Sequence, residues 1–99
     1  MMQTEDRIDE LINVIFSLAR KISTETVADI MVHYAGHVQA LEVYGFTGGY
    51  SEGAVFNYRS DMVYLNSPKA LAELNNIREI LVVLYRSLTE PELQKAAGQ

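Results

Sequence analysis

The two histidines of this 99-residue chain lie four positions apart, at His33 and His37. On a helix, that spacing would place both rings on one face, as some metal sites require. A zinc site needs three or four protein ligands, and the chain has no cysteine to add to the pair. Because no third ligand lies close in sequence, we predict no metal site and interpret both histidines as structural or surface residues.

A glycine-rich stretch follows, with glycines at 45, 48, 49 and 53. Loops of this kind can cradle phosphate, but the chain has no GxxxxGK[ST] motif and no helix start directly after the glycines. No lysine occurs between Lys21 and Lys69. The stretch is therefore predicted to be a connection between strands that needs positive φ angles, and no cofactor is predicted.

Paired carboxylates for acid–base catalysis are not identifiable either. Asp29, Glu42 and Asp61 lie on candidate strands, but nothing in their spacing sets a distance between them or raises a pKa. No nucleophile elbow accompanies the serines. The sequence predicts no catalytic residue, and we expect a non-enzymatic protein.

Six aromatic residues cluster between positions 44 and 64. Aromatic platforms for nucleic-acid bases carry interleaved basic residues, whereas only Arg59 is interleaved here. Packing within a sheet explains most of the cluster, and a protein partner is the next best use, since tyrosine is favoured at interface hot spots. The predicted binding residues are Tyr44, Phe46, Tyr50 and Tyr58.

Within that cluster, the loop 45–53 is the predicted contact surface, with Phe46 and Tyr50 at its ends. The alternative is that both aromatic side chains fold back and cap the core. A second alternative is a small ligand-binding domain or enzyme that uses the aromatic-lined sheet and this loop.

The charge distribution narrows the choice of partner. The net charge is −5, and residues 23–66 hold five acidic residues against one basic residue. Such a surface repels phosphate backbones and attracts basic proteins, so nucleic-acid binding is disfavoured. A basic face on the helices would be the remaining route to nucleic acid.

Composition and length predict one globular domain over residues 1–99, with 48% hydrophobic and 21% charged residues. No apolar run approaches the roughly 20 residues that span a bilayer, so we expect no membrane association. The polar, acidic first ten residues are unlike a signal peptide. The lack of cysteine suits a reducing compartment, and a cytoplasmic location is expected.

Two amphipathic helices are predicted to frame the domain. The first covers residues 4–22, where apolar residues recur at helical spacing. The second begins at the start signal Ser67-Pro68 and runs to residue 88, and a short helical turn over 90–97 follows it. The second helix carries an apolar stripe at steps of three and four, which is the predicted seam of a homodimer. Its members are Leu74, Ile77, Leu81, Leu84 and Leu88.

The middle of the chain fits two periods. The apolar residues of 27–44 would form one stripe on a helix, yet apolar and polar residues also alternate there as in a strand. The segment is rich in Val, Ile and Tyr and contains Gly36, and both features disfavour a helix. We favour strands over 27–34 and 37–46, and a third strand or bent pair over 54–65 that turns near 59–61. The predicted class is α+β in the order α-β-β-β-α, a three-stranded antiparallel sheet packed with two main helices.

The same region carries a resemblance to a known group of proteins. The segment His33-Tyr34-Ala35-Gly36-His37-Val38 precedes Leu41 and Val43, then Gly48-Gly49-Tyr50, then Val63-Tyr64-Leu65 before a leucine-rich helix. This order resembles small phage- and prophage-encoded accessory proteins, and the resemblance covers residues 27–88. It implies a bacterial, prophage-type accessory protein that acts through protein–protein interaction.

Overall fold

The computed structural model describes residues 4–51 and 57–90. The predicted α+β order is confirmed, with the third strand divided into two short segments. The elements are α1 (Thr4–Glu25), β1 (Asp29–Ala35), β2 (Ala40–Phe46), β3 (Tyr58–Arg59), β4 (Val63–Tyr64) and α2 (Ala70–Thr89).

The hairpin interpretation of the middle segment is confirmed. β1 and β2 are antiparallel, in a register that runs from Asp29 opposite Phe46 to Ala35 opposite Ala40. The chain turns over residues 36–39, where Gln39 has a φ of 51° and the Val38 N–H donates to the Ala35 carbonyl. The helical reading fails because alternate residues of β2 have to enter the core, which a period of 3.6 would not allow.

The third strand is interrupted where a turn was predicted. β3 and β4 both pair with β2, on the side away from β1. Ser60 occupies the break and contacts Val43 twice: its N–H donates to the Val43 carbonyl at 2.7 Å, and its hydroxyl accepts from the Val43 N–H at 2.9 Å. A side chain thus replaces one backbone acceptor of the ladder and keeps the sheet hydrogen-bonded across the gap.

Both helices lie against one face of this sheet, and the core fills the space between the two layers. Their apolar stripes meet the side chains that β2 and β4 direct to that face. The fully buried large side chains are Ile15, Ile22, Leu41, Val43, Val63, Leu74 and Leu81.

The apolar stripe of α2 serves this core. Leu74, Ile77 and Leu81 are buried inside the single chain, and Leu84 and Leu88 are partly buried against the same cluster. The three buried side chains are therefore unavailable to a second copy, whereas Leu84 and Leu88 are covered only in part. The dimer seam on α2 stays a prediction, and only its last two residues remain accessible to it.

The boundaries of the elements differ slightly from prediction. Ser67 accepts from the Lys69 N–H at 3.1 Å as an N-cap would, but one turn precedes the regular helix, which begins at Ala70. Among the described residues, neither helix combines the length and apolar character needed to cross a bilayer. The predicted turn over 90–97 and the start of the predicted strand 54–65 lie mostly outside the described residues.

Candidate interaction surface

A row of three aromatic rings lies on the side of the sheet opposite the helices. Leu41 and Val43 point from β2 into the core, so the alternating Tyr44 and Phe46 point to the opposite face. The rings of Tyr44 and Phe46 meet edge to face, with centroids 6.5 Å apart. Tyr50 adds a second edge-to-face contact with Phe46 at 5.2 Å. Three of the four predicted binding residues are thus brought together as one aromatic row.

Within the row, Phe46 and Tyr50 have different exposures. Phe46 is only 7% exposed, whereas Tyr50 is 60% exposed. Tyr50 is therefore exposed, as the contact-surface alternative requires, whereas Phe46 is buried on the face opposite the helices and does not belong to the core cluster. The buried ring acts as a support for the exposed one.

Hydrogen bonds hold the loop that carries Tyr50. The Tyr50 N–H donates to the Asp29 carboxylate at 2.6 Å, and the Gly49 N–H donates to the Phe46 carbonyl at 3.0 Å. Asn57 closes the other side: its side-chain carbonyl accepts from the Thr47 N–H, and its amide group donates to the Thr47 hydroxyl. Thr47, Gly49 and Tyr50 are thus each fixed by a hydrogen bond, which lowers the entropy that ordering them would cost when a partner binds.

A second exposed hydrophobic residue belongs to the segment that this loop touches. Val27 precedes β1 and is 70% exposed. A Cβ atom added to Gly49 would lie 2.9 Å from the Val27 carbonyl oxygen, so the two backbones are in close contact. Sequence reasoning missed Val27 because its apolar type suited the strand that was predicted to start there. The anchoring role of Asp29 had no signal in the sequence beyond its charge.

Tyr58 is not part of the row. It lies opposite Gly45 on β2, and it packs against the core from the helix side of the sheet. Its hydroxyl is buried without a hydrogen-bond partner. Burial raises the pKa of Tyr58, so the phenol remains protonated. The strand register separates Tyr58 from the other three predicted binding residues, because adjacent positions on a strand face opposite ways.

Two acidic residues, Glu42 and Asp29, lie near the row, and they differ in whether an ion pair offsets their charge. Glu42 accepts from Arg59 at 3.0 Å on the face that carries Tyr44. Asp29 is engaged by a backbone N–H and has no ion pair among those formed by the described residues. Of the two carboxylates beside the row, Glu42 is thus ion-paired with Arg59, and Asp29 forms no ion pair with the described residues.

The cleft between the third strand and α2 has a volume of about 360 Å³. Tyr58, Asp61, Glu73 and Asn76 are among its lining residues, while Tyr44, Phe46 and Tyr50 are not. Tyr58 alone of the four predicted binding residues lines this cleft, which is on the other side of the sheet from the aromatic row. His33 lies in β1 and His37 in the following turn, and the described residues contain no group of three potential metal ligands.

The conformation of the loop depends on Gly49, and its replacement gives a direct test. Gly49 has a φ of 96°, and a Cβ there would approach the Val27 carbonyl. We expect Gly49→Ala to lower the free energy of unfolding by roughly 1–2 kcal/mol, measured by denaturant titration. The matched control is Gly48→Ala, because a Cβ at Gly48 meets nothing within 4 Å. Equal effects of the two substitutions would contradict the assigned loop geometry.

Comparison with protein-family models, with curated proteins and with solved structures gives no match.

Proposed function

We propose that this chain is a non-enzymatic accessory protein of the phage or prophage type, and that it acts in the cytoplasm by binding a protein partner. Its contact surface is centred on Tyr50 and extends to Val27. The observation that carries the proposal is the exposed Tyr50 ring, which is supported by buried Phe46 on a loop anchored to Asp29 and Asn57.

Exposure of a tyrosine in this setting favours recognition over packing. An exposed aromatic side chain contributes little to the fold, whereas at an interface it supplies a large, rigid contact area and a hydroxyl that can hydrogen-bond. The ring is already positioned by Phe46, so binding would cost little side-chain entropy. The exposed Val27 lies in the segment whose backbone contacts this loop at Gly49.

The chemistry of the partner follows from charge. The chain carries a net charge of −5, and Asp29 lies directly beneath the loop. Complementary charge speeds association and disfavours partners of like charge. The partner is therefore a protein with an apolar pocket for Tyr50 and a basic rim.

Replacing Tyr50 with serine tests the proposal. We expect Tyr50→Ser to abolish capture of the partner from host lysate, while thermal stability changes little because the side chain is mostly outside the core. The matched control is Tyr64→Ser, since Tyr64 is 50% exposed and also lies on the side of the sheet opposite the helices. Capture is quantified by mass spectrometry on immobilised wild-type and variant proteins.

The outcomes are distinct. A partner retained by Tyr64→Ser and lost by Tyr50→Ser supports the surface. A partner that all three proteins capture equally, or no enrichment by the wild-type protein, overturns it. Val27→Ser is expected to weaken capture as well, because it removes exposed apolar area from the segment that contacts the loop at Gly49.

A further inference from the structure

The outer edge of β1 presents unpaired backbone groups. In β2, the Gly45 and Val43 carbonyls accept from Asn57 and Ser60, so the odd-numbered residues of β2 direct their backbone groups toward the third strand. The residues opposite them in β1 therefore direct their N–H and carbonyl groups the other way, to the outer edge. No described strand lies beyond that edge.

One of these edge groups is already satisfied. The Ile30 N–H donates to the Ser23 hydroxyl of α1 at 3.0 Å. Val32 and Tyr34 come next along the edge, and their two N–H and two carbonyl groups have no partner within the sheet. The edge carries no proline and no lysine, which are the residues that usually block strand addition. Val32 and Tyr34 thus leave four outward backbone groups open, next to Ile30, whose N–H is capped and whose carbonyl also faces the edge.

We propose that a second copy of this chain pairs with that edge, antiparallel, so that Val32 lies opposite the partner's Tyr34. About a twofold axis, this register makes four backbone hydrogen bonds and uses the N–H and carbonyl groups of Val32 and Tyr34 in both chains. The register that centres Val32 on the partner's Val32 would place the Ile30 N–H, which Ser23 occupies, opposite the partner's Tyr34 carbonyl and leave that carbonyl without a donor.

The side chains are complementary in the same register. Tyr34 is 54% exposed on the helix side of the sheet. Beside Val32, a groove of about 310 Å³ lies between α1 and β1, lined in part by Phe16, Ala19 and Ile30. The ring of the partner's Tyr34, opposite Val32, would reach this groove. Aromatic and β-branched residues form favourable cross-strand pairs, and twofold symmetry produces the contact twice.

A cysteine at position 33 reports this register directly. His33 would face the partner's His33 as a pair without mutual hydrogen bonds, with Cα atoms about 4.5 Å apart, which a disulfide can bridge. The chain has no cysteine of its own, so His33→Cys provides a single reactive site. We expect copper–phenanthroline oxidation to convert it to a covalent dimer. Met31→Cys is the control, because its two copies would be displaced by four residues, about 13 Å.

Sedimentation equilibrium supplies the second test, on the unmodified edge. The wild-type protein at high micromolar concentration is expected to sediment at twice the mass of 11.1 kDa. Tyr34→Lys should give a folded monomer, while Tyr64→Lys, with similar exposure, should remain a dimer. Because this edge is separate from the Tyr50 surface, Tyr50→Ser should also remain a dimer.

Each result decides the proposal. A monomeric wild-type protein, equal cross-linking of Met31→Cys and His33→Cys, or a dimer that only Tyr64→Lys disrupts would overturn it. If Tyr34→Lys is unfolded by circular dichroism, the cross-linking comparison alone decides, since neither cysteine variant alters position 34.

Discussion

Replacing Leu81 with alanine is expected to lower the free energy of unfolding by about 2–5 kcal/mol, the largest effect predicted for this protein. Leu81 is fully buried and belongs to the cluster that joins α1, the sheet and α2. Truncation removes apolar contact and leaves a cavity that well-packed neighbours fill only in part. Urea or guanidinium titration followed by circular dichroism measures the change.

The same substitution also tests whether Leu81 stabilises the core of one chain or an interface between two copies. Stability lost from the core of one chain does not depend on protein concentration, whereas stability lost from a dimer seam does. Val83→Ala on the same helix is the control, because Val83 is 65% exposed and its truncation should cost less than about 0.5 kcal/mol. A loss from Leu81→Ala that disappears on dilution would instead support a seam between copies on α2.

Ser60→Ala is expected to lower the free energy of unfolding by about 1–3 kcal/mol, although it removes one oxygen atom only. The Ser60 hydroxyl is the acceptor for the Val43 N–H, and Val43 is fully buried. Without that acceptor, a backbone donor remains unsatisfied beside the break between β3 and β4, where no strand backbone replaces it. Denaturant titration measures the loss, and hydrogen exchange at the Val43 amide should accelerate.

Tyr58→Phe is the matched control, and the opposite sign is expected. It also removes one buried hydroxyl, but that hydroxyl has no partner, so its removal should raise the free energy of unfolding by about 1 kcal/mol. Burial raises the pKa of Tyr58 above its ordinary value of 10.0, so the folded state holds the phenol proton more tightly than the unfolded state. Wild-type stability should therefore fall as the pH rises above 10.0, and Tyr58→Phe should fall less. The same sign for Ser60→Ala and Tyr58→Phe would contradict the assigned hydrogen bonding.

Local patterns were sufficient to predict the elements. The stripes of α1 and α2, the β-rich composition near Gly36 and the turn near Ser60 all depend on residues close in sequence. The three-to-four spacing on α2 was read correctly as one apolar face, but spacing does not say which surface covers that face. The structure covers Leu74, Ile77 and Leu81 of this face with α1 and the sheet.

The candidate site was predictable in part. The aromatic residues and the glycine loop marked its region, and three of the four predicted binding residues meet there. Tyr58 could not be excluded in advance, because its face depends on the register of β3 against β2. The role of Asp29 in holding Tyr50 joins residues 21 positions apart, and no local pattern encodes such a contact.

Sequence alone determined the class of this protein: an acidic α+β domain with two amphipathic helices around a hairpin, because periodicity and turn chemistry act over a few neighbouring residues. Tertiary structure alone decided which apolar faces are covered and which remain exposed. It buried Phe46 beneath Tyr50, and it directed the backbone of Val32 and Tyr34 to an open edge. The physical reason is that burial, strand register and hydrogen-bond direction are set by pairings between distant segments, and those pairings exist only once the chain has folded.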